Sequence, residues 1–274
     1  MRKLLILLTV MGVAGSTTLT AQADPQSDLK EFQGYFKKKF PDVPFDDYSN
    51  GVYALDKNAR AEWETLMDFP PYELELENGK TLWNTPFING KTYASCLTRE
   101  PQTYPYWDNA KNELRTLELD INDCLKKNGE PVYKNLKKGD LPDVEAYFRF
   151  THRGQRVKID LSNPKAVAAY EKGKQFFWAR RGQLNFACST CHVDIAGKFI
   201  RGDSLSAALG HGTGFPVYRG KDGELSTLHN RYVGCNKQVR AAPYKPQSDE
   251  YKNLELYETY MSTGLPLTAP SYRR

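Results

Sequence analysis

Cys188-Ser189-Thr190-Cys191-His192 is the stretch that decides the fold of this chain. Its pattern is C-x-x-C-H, the attachment site of a c-type haem. Both thiols can form thioethers with the haem vinyl groups, and the His192 imidazole can bind the iron from the proximal side. Other uses of paired cysteines fit less well. A zinc site calls for a second Cys or His pair at ligand spacing, and none lies nearby. A redox dithiol calls for a strand-then-helix setting and no obligatory histidine after it.

The N-terminus agrees with a covalent haem, which is attached outside the cytoplasm. Arg2 and Lys3 precede an apolar run from Leu4 to Ala14, and Ala21-Gln22-Ala23 offers a cleavage site before Asp24. Residues 1–23 therefore read as a secretory signal peptide cleaved after Ala23. The expected product is a soluble periplasmic protein. No other apolar run reaches the ~18 residues that a membrane span needs. The formal net charge is +5, and Arg2 and Lys3 contribute two of those charges. A mildly basic chain of this kind carries no nucleic-acid signature.

Working outward from the motif, the chain repeats itself. Glu77-Asn78-Gly79-Lys80 resembles Glu171-Lys172-Gly173-Lys174, and Gly90 precedes Cys96 as Gly182 precedes Cys188. Tyr104-Pro105 matches Phe215-Pro216. Glu113-Leu114-Arg115-Thr116-Leu117 then matches Glu224-Leu225-Ser226-Thr227-Leu228, and Cys124 matches Cys235. From proline to cysteine the halves align without a gap. Tyr147 and Gly154 later mirror Tyr257 and Gly264. The first half has Cys96-Leu97-Thr98-Arg99-Glu100 where the second has the haem motif, so it lacks the second thiol and the imidazole. The expected fold is mainly α, with two tandem cytochrome c-like domains of which only the C-terminal one carries haem. The expected division is a signal peptide at 1–23, an N-terminal extension at 24–47, a haemless domain at 48–152 and a haem-binding domain at 153–274.

Two of the five cysteines go to the haem. Cys96 and Cys124 then read either as a disulfide, which an oxidising compartment favours, or as two buried free thiols. Cys235 is left unpaired, a flag for a reactive thiol. It is also the strongest candidate for the distal side of the iron. The competing ligands are His211, His229 and Met261. Met261 falls at core spacing with Leu254 and Tyr257 in a helix over 248–263. His229 alternatively reads as a surface residue, and His152 as a surface or linker histidine. Met67 lies in the other half. Arg231, Lys237 and Arg240 surround Cys235 with positive charge, which favours a thiolate. A helical turn over 231–235 would put Arg231 and Cys235 on one face. On the residues alone, Arg231 is equally a solvated or a haem-propionate-binding arginine. A helix capped by Asn163 with Pro164 in its first turn, carrying Val167, Tyr170 and Phe177 on one face, is expected to end at Gly182. Gly210 to Gly220 reads as a loop around the haem.

Phe186-Ala187 before the haem motif, Arg231-Tyr232-Val233-Gly234-Cys235, Arg240-Ala241-Ala242-Pro243, Leu254-Glu255-Leu256-Tyr257 and Gly264-Leu265-Pro266 together resemble the SoxA family. SoxA proteins are the catalytic haem subunits of the SoxAX complexes of sulfur-oxidising bacteria. The similarity runs from about residue 48 to 270. It implies an L-cysteine S-thiosulfotransferase that joins thiosulfate oxidatively to a cysteine of the carrier SoxYZ, with electrons leaving through haem to SoxX or another cytochrome c. It implies His192 as proximal and Cys235 as distal ligand, a persulfide and covalent intermediate on Cys235, and thiosulfate bound by Arg231. Many members carry two haems. This chain resembles the single-haem type, with one covalently bound haem c and a bridge between Cys96 and Cys124. SoxX is the implied partner, with room for a small accessory subunit. Rival readings are a thiosulfate dehydrogenase that forms tetrathionate, a simple electron-transfer cytochrome and a haem-based sensor.

Overall fold

The computed structural model describes residues 24–273, so the signal-peptide reading of residues 1–23 lies outside it. The chain is mainly helical, with short strands. It opens with α1 (Pro25–Lys39), α2 (Lys57–Leu66) and α3 (Glu73–Asn84). A hairpin of β1 (Tyr106–Asp108) and β2 (Glu113–Arg115) leads into α4 (Leu117–Lys127) and α5 (Asp140–Phe150). The second half starts with α6 (Pro164–Trp178) and a small hairpin of β3 (Phe199–Ile200) and β4 (Asp203–Ser204). It continues through β5 (Val217–Arg219), β6 (Glu224–Ser226), α7 (Leu228–Gln238) and α8 (Asp249–Met261), and ends in β7 (Ser271–Arg273).

The repeat seen in the sequence is a repeat in space. The β1–β2 register pairs Tyr106 with Arg115, and the β5–β6 register pairs Val217 with Ser226 at the aligned positions. Each hairpin runs into a threonine that caps the following helix. Thr116 accepts from the Leu119 N–H, and Thr227 accepts from the Asn230 N–H. In each half two helices, α3 with α5 and α6 with α8, cross at a glycine. A Cβ on Gly79 would sit 2.0 Å from the Asp143 carbonyl oxygen, and one on Gly173 would sit 2.0 Å from that of Asn253. No side chain fits there, which is why both positions are glycine. Each half also has its own apolar core. Leu117, Ile121, Leu141 and Val144 centre the first, and Tyr170, Phe177, Leu254 and Tyr257 centre the second.

Several details differ from the sequence reading. Residues 25–39 form a helix that joins the second core through Phe32 and Phe36. Asp28 of α1 pairs with Lys174 at 2.6 Å, and Gln33 donates to the Thr263 carbonyl at 3.0 Å. Asn163 does cap α6, accepting from the Lys165 N–H at 2.7 Å. That helix stops at Trp178, before Gly182, because the backbone turns extended at Ala179. Its buried face is Ala166, Ala169, Tyr170, Gly173 and Phe177, with Val167 only half-buried. The last helix spans Asp249–Met261, and every residue from Tyr251 onward in it is buried. Burial all round marks a central helix. It places Met261 in the core at 1 % exposure. The segment read as a loop over 210–220 contains β5, which pairs in parallel with the distant β7. No helix among the described residues is long and apolar enough to cross a membrane.

Candidate functional site

Cys188, Cys191 and His192 lie on one short helical segment after the turn that follows α6. Its second part, Thr190–Asp194, is a wide turn in which the Ile195 N–H reaches back five residues to Thr190. Such π-type turns often mark functional sites. The preceding turn is tied to the end of α7, since Leu184 N–H donates to the Val239 carbonyl at 3.3 Å. This tie brings the haem motif against the helix that carries Cys235.

All three cysteines of the second half have free thiols, whereas Cys96 and Cys124 are joined as a disulfide with Cα atoms 5.7 Å apart. Burial pushes the Cys188 thiol well above its ordinary range and raises Cys191 as well, with the nearby Cys235 adding to both. That is the reverse of a redox dithiol, whose attacking cysteine has a lowered pKa. The two thiols and Cys235 therefore share one half-buried neighbourhood. Arg231 also acts electrostatically on Cys191 and on His192.

The Nδ1 atom of His192 lies 3.0 Å from the Ser206 carbonyl, so it is the donor, and Nε2 has no hydrogen-bond partner among the described residues. A histidine fixed in this way is poised to ligate through Nε2. Burial, with the His211 charge behind it, holds the ring neutral far below the usual imidazole range. The residues thus fit a covalent haem: two unlinked thiols, one oriented neutral imidazole and a third free thiol in their neighbourhood.

The other ligand candidates are engaged elsewhere. The His211 ring packs edge-on against His192, with centroids 4.4 Å apart. Its Nε2 meets Ser206 at 3.2 Å and its Nδ1 meets Glu258 at 2.9 Å, so it backs the His192 ring. The expectation of a surface His229 is corrected. Its side chain is fully buried, with Nε2 3.0 Å from Glu255 and Nδ1 accepting from the Gln247 N–H at 2.9 Å. His152 is half-buried at the end of α5, against the Phe148 ring.

On α7, Arg231 and Cys235 are one turn apart, and both are half-buried. Tyr232 and Val233 between them face the core. Tyr232 donates to Glu258, so the helix that carries Cys235 is anchored to the carboxylate that also holds His211. Lys237 and Arg240 are exposed. Sequence reasoning missed Arg219 at the end of β5. It feels the charges of both Arg231 and Cys235. The available signal was charge reversal in the gapless alignment, where Arg219 and Arg231 stand opposite Asp108 and Asp120.

The family model for the SoxA/TsdA cytochrome c domain matches residues 78–157, a span that contains the Cys96–Cys124 disulfide. The chain is 47% identical over 274 residues to the L-cysteine S-thiosulfotransferase subunit SoxA of Chlorobaculum tepidum, covering 98% of this chain and 96% of that protein. It is also 47% identical over 277 residues to the subunit of the same name from Allochromatium vinosum, covering 98% of each. The crystal structure of SoxXA from P. pantotrophus superposes with a TM-score of 0.70 at 31% identity, over 78% of this chain and 84% of that one.

Proposed function

The chain belongs to the SoxA family of L-cysteine S-thiosulfotransferase subunits, and from that premise we propose how its residues perform the reaction. Its partner is a SoxX subunit, a reading supported by the likeness to the SoxXA structure. Its substrate is thiosulfate, and its second substrate is a cysteine of the carrier SoxYZ. The net reaction consumes thiosulfate and a carrier thiol. It yields a carrier cysteine S-thiosulfonate, one proton and two electrons. The electrons pass to SoxX or another cytochrome c. The one observation that carries this reading is a free Cys235, one helical turn after Arg231, brought against the Cys188–His192 segment.

Cys188 and Cys191 would hold one haem c, with His192 as proximal and Cys235 as distal ligand. Once attached, that group supplies a one-electron redox centre beside Cys235. His211, Ser206 and Glu258 fix the His192 ring from behind. Arg231 binds the thiosulfate dianion by charge-assisted hydrogen bonds, for which a planar guanidinium is suited. The Cys235 sulfur forms a bond to the outer sulfur of thiosulfate with loss of two electrons. The carrier thiolate then attacks that outer sulfur, takes the thiosulfonate and releases the Cys235 thiolate. This second step is an exchange without net oxidation. A persulfide on Cys235 adds one sulfur to the enzyme's side of both steps and leaves the balance unchanged.

The proposed division is a haemless cytochrome c-like unit over 48–152 and a haem-binding unit over 153–274, with residues 24–47 as an extension whose Phe32 and Phe36 pack into the second core. The periplasm is the compartment in which this chain works, after loss of residues 1–23. Thiosulfate and an oxidised cytochrome c are supplied with and without a cysteine-bearing SoxYZ. Carrier-dependent electron transfer and a thiosulfonate on the carrier support the reading. Tetrathionate formed equally well without the carrier would establish a thiosulfate dehydrogenase instead.

A further inference from the structure

The hairpin before α7 contains a charge arrangement that the reaction has not yet used. Arg219 closes β5, opposite Glu224 of β6 and beside Arg273 of β7. Cross-strand opposite charges normally pair, yet Arg219 makes no hydrogen bond or ion pair through its side chain among the described residues. The hairpin carboxylates are drawn off by the other half of the molecule, since Lys138 binds Glu224 at 2.8 Å and Asp222 at 4.0 Å. Arg231 is likewise without a hydrogen bond or ion pair from its side chain among the described residues. Arg273, the β7 neighbour of Arg219, has its guanidinium over the Tyr53 ring at 5.2 Å. Burial and the Arg231 charge pull Arg219 below its ordinary range, while Asp222, Asp203 and Cys235 act in the opposite sense. Two half-buried guanidinium groups whose charges act on one another are costly unless an anion offsets them.

The duplication supplies an independent observation. The aligned positions in the first half are Asp108 and Asp120, and the aligned cysteine, Cys124, is locked in a disulfide. There Asp120 is satisfied by Arg115 at 2.8 Å and by the Tyr104 hydroxyl at 2.8 Å. Asp108 caps its own turn by accepting from the Ala110 N–H at 2.8 Å. The half with a bridged cysteine thus carries two settled acids where the half with a free cysteine carries two unsettled arginines.

We propose that Arg219 is a second anion-binding residue of the Cys235 site, acting with Arg231 as a two-armed clamp on the sulfonate end of a thiosulfate-class dianion. This rests on the reading of Cys235 and Arg231 given above. With the sulfonate held between the arginines, the outer sulfur is the end left to face Cys235. The clamp sets substrate affinity and orientation, and it leaves the thiol chemistry to Cys235.

The test uses the haem-loaded protein and thiosulfate itself as the probe. Binding is measured by equilibrium dialysis without electron acceptor, for the wild type, Arg219→Gln, Arg219→Lys and Arg231→Gln. The haem absorption spectrum and thermal midpoint serve as controls of folding and ligation. Arg219→Gln is expected to weaken binding about tenfold, the loss of one charge-assisted contact. Arg219→Lys should recover part of it, with spectra unchanged. Turnover should show a raised KM for thiosulfate at a nearly unchanged kcat. Wild-type affinity in Arg219→Gln alongside weakened binding in Arg231→Gln would overturn the clamp and leave the site standing. Undiminished binding in both variants would overturn the site along with the clamp.

Discussion

The two halves of this protein share one frame and part company at a handful of aligned positions. Each half has a glycine at its helix crossing, a two-stranded hairpin, a threonine cap and a helix with a cysteine in its third turn. In the first half that cysteine, Cys124, is bonded to Cys96. In the second half Cys235 is free, and it shares its neighbourhood with two further thiols, while the His192 imidazole is held by the Ser206 carbonyl. Asp108, Glu118 and Asp120 stand where the second half has Arg219, His229 and Arg231. The difference teaches that the frame alone makes no chemistry. In the first half a covalent cross-link ties the helix to the loop, Asp120 pairs with Arg115 and Asp108 caps its own turn. In the second half His229 is settled on Glu255 and the Gln247 N–H, whereas Arg219 and Arg231 have no side-chain hydrogen bond or ion pair among the described residues.

The largest expected effect is at the cysteine that breaks the symmetry. Cys235→Ala should abolish thiosulfate coupling in an electron-acceptor assay while one haem stays attached, and retained turnover would move the chemistry elsewhere. Next come the crossings, which the two halves share. Gly173→Ala should cost about 3 kcal/mol or more by forcing α6 off α8, measured by denaturant unfolding. Gly79→Ala should do the same to α3 and α5. A large loss in only one half would break the structural equivalence. The paired variant Cys96→Ser with Cys124→Ser opens a cross-link spanning 28 residues of sequence. It should lower stability by about 2–4 kcal/mol, with haem content and coupling kept.

The smallest effect concerns the seam between the halves. Glu118, Glu145 and Arg149 from the first half meet Glu255, Thr259 and Leu228 of the second around a small cavity. Burial foremost, with Glu118 and Glu255 adding to it and Arg149 opposing, pushes the Glu145 carboxyl up to about 8. A carboxyl with a raised pKa in the fold contributes stability that is present in full below its unfolded value of about 4.3. That contribution is lost as pH rises through 8. Glu145→Gln should therefore gain on the wild type between pH 5 and about 8.5 in thermal midpoint. The gain should be roughly 2–4 °C per kcal/mol recovered. A difference that stays flat with pH would show that Glu145 does not hold its proton.

The repeat was legible because it is a matter of spacing: Pro105 to Cys124 and Pro216 to Cys235 align residue for residue. The cap at Asn163 and the shared face of Arg231 and Cys235 were legible because both are local rules of helices. What escaped is non-local. Nothing near Pro25 announces that α1 will cover α6 and α8, and nothing near Ser271 announces a strand beside Val217. His229 reads as a polar residue in a polar stretch, and only Glu255, 26 positions on and in another helix, shows why it is buried. Arg219 escaped because an arginine at the end of a hairpin is ordinary until its partner carboxylates are found on Lys138.

The central claim is that the second half alone carries the cofactor and that Cys235 carries the sulfur chemistry. Peptide mass mapping of the purified protein tests it most directly, after incubation with thiosulfate and an oxidised cytochrome c. One haem on the peptide of Cys188 and Cys191, a bridged pair of Cys96 and Cys124, and a reductant-labile sulfur adduct on Cys235 is the expected result. An unmodified Cys235 beside an adduct on any other residue, or haem bound in the first half, would contradict it.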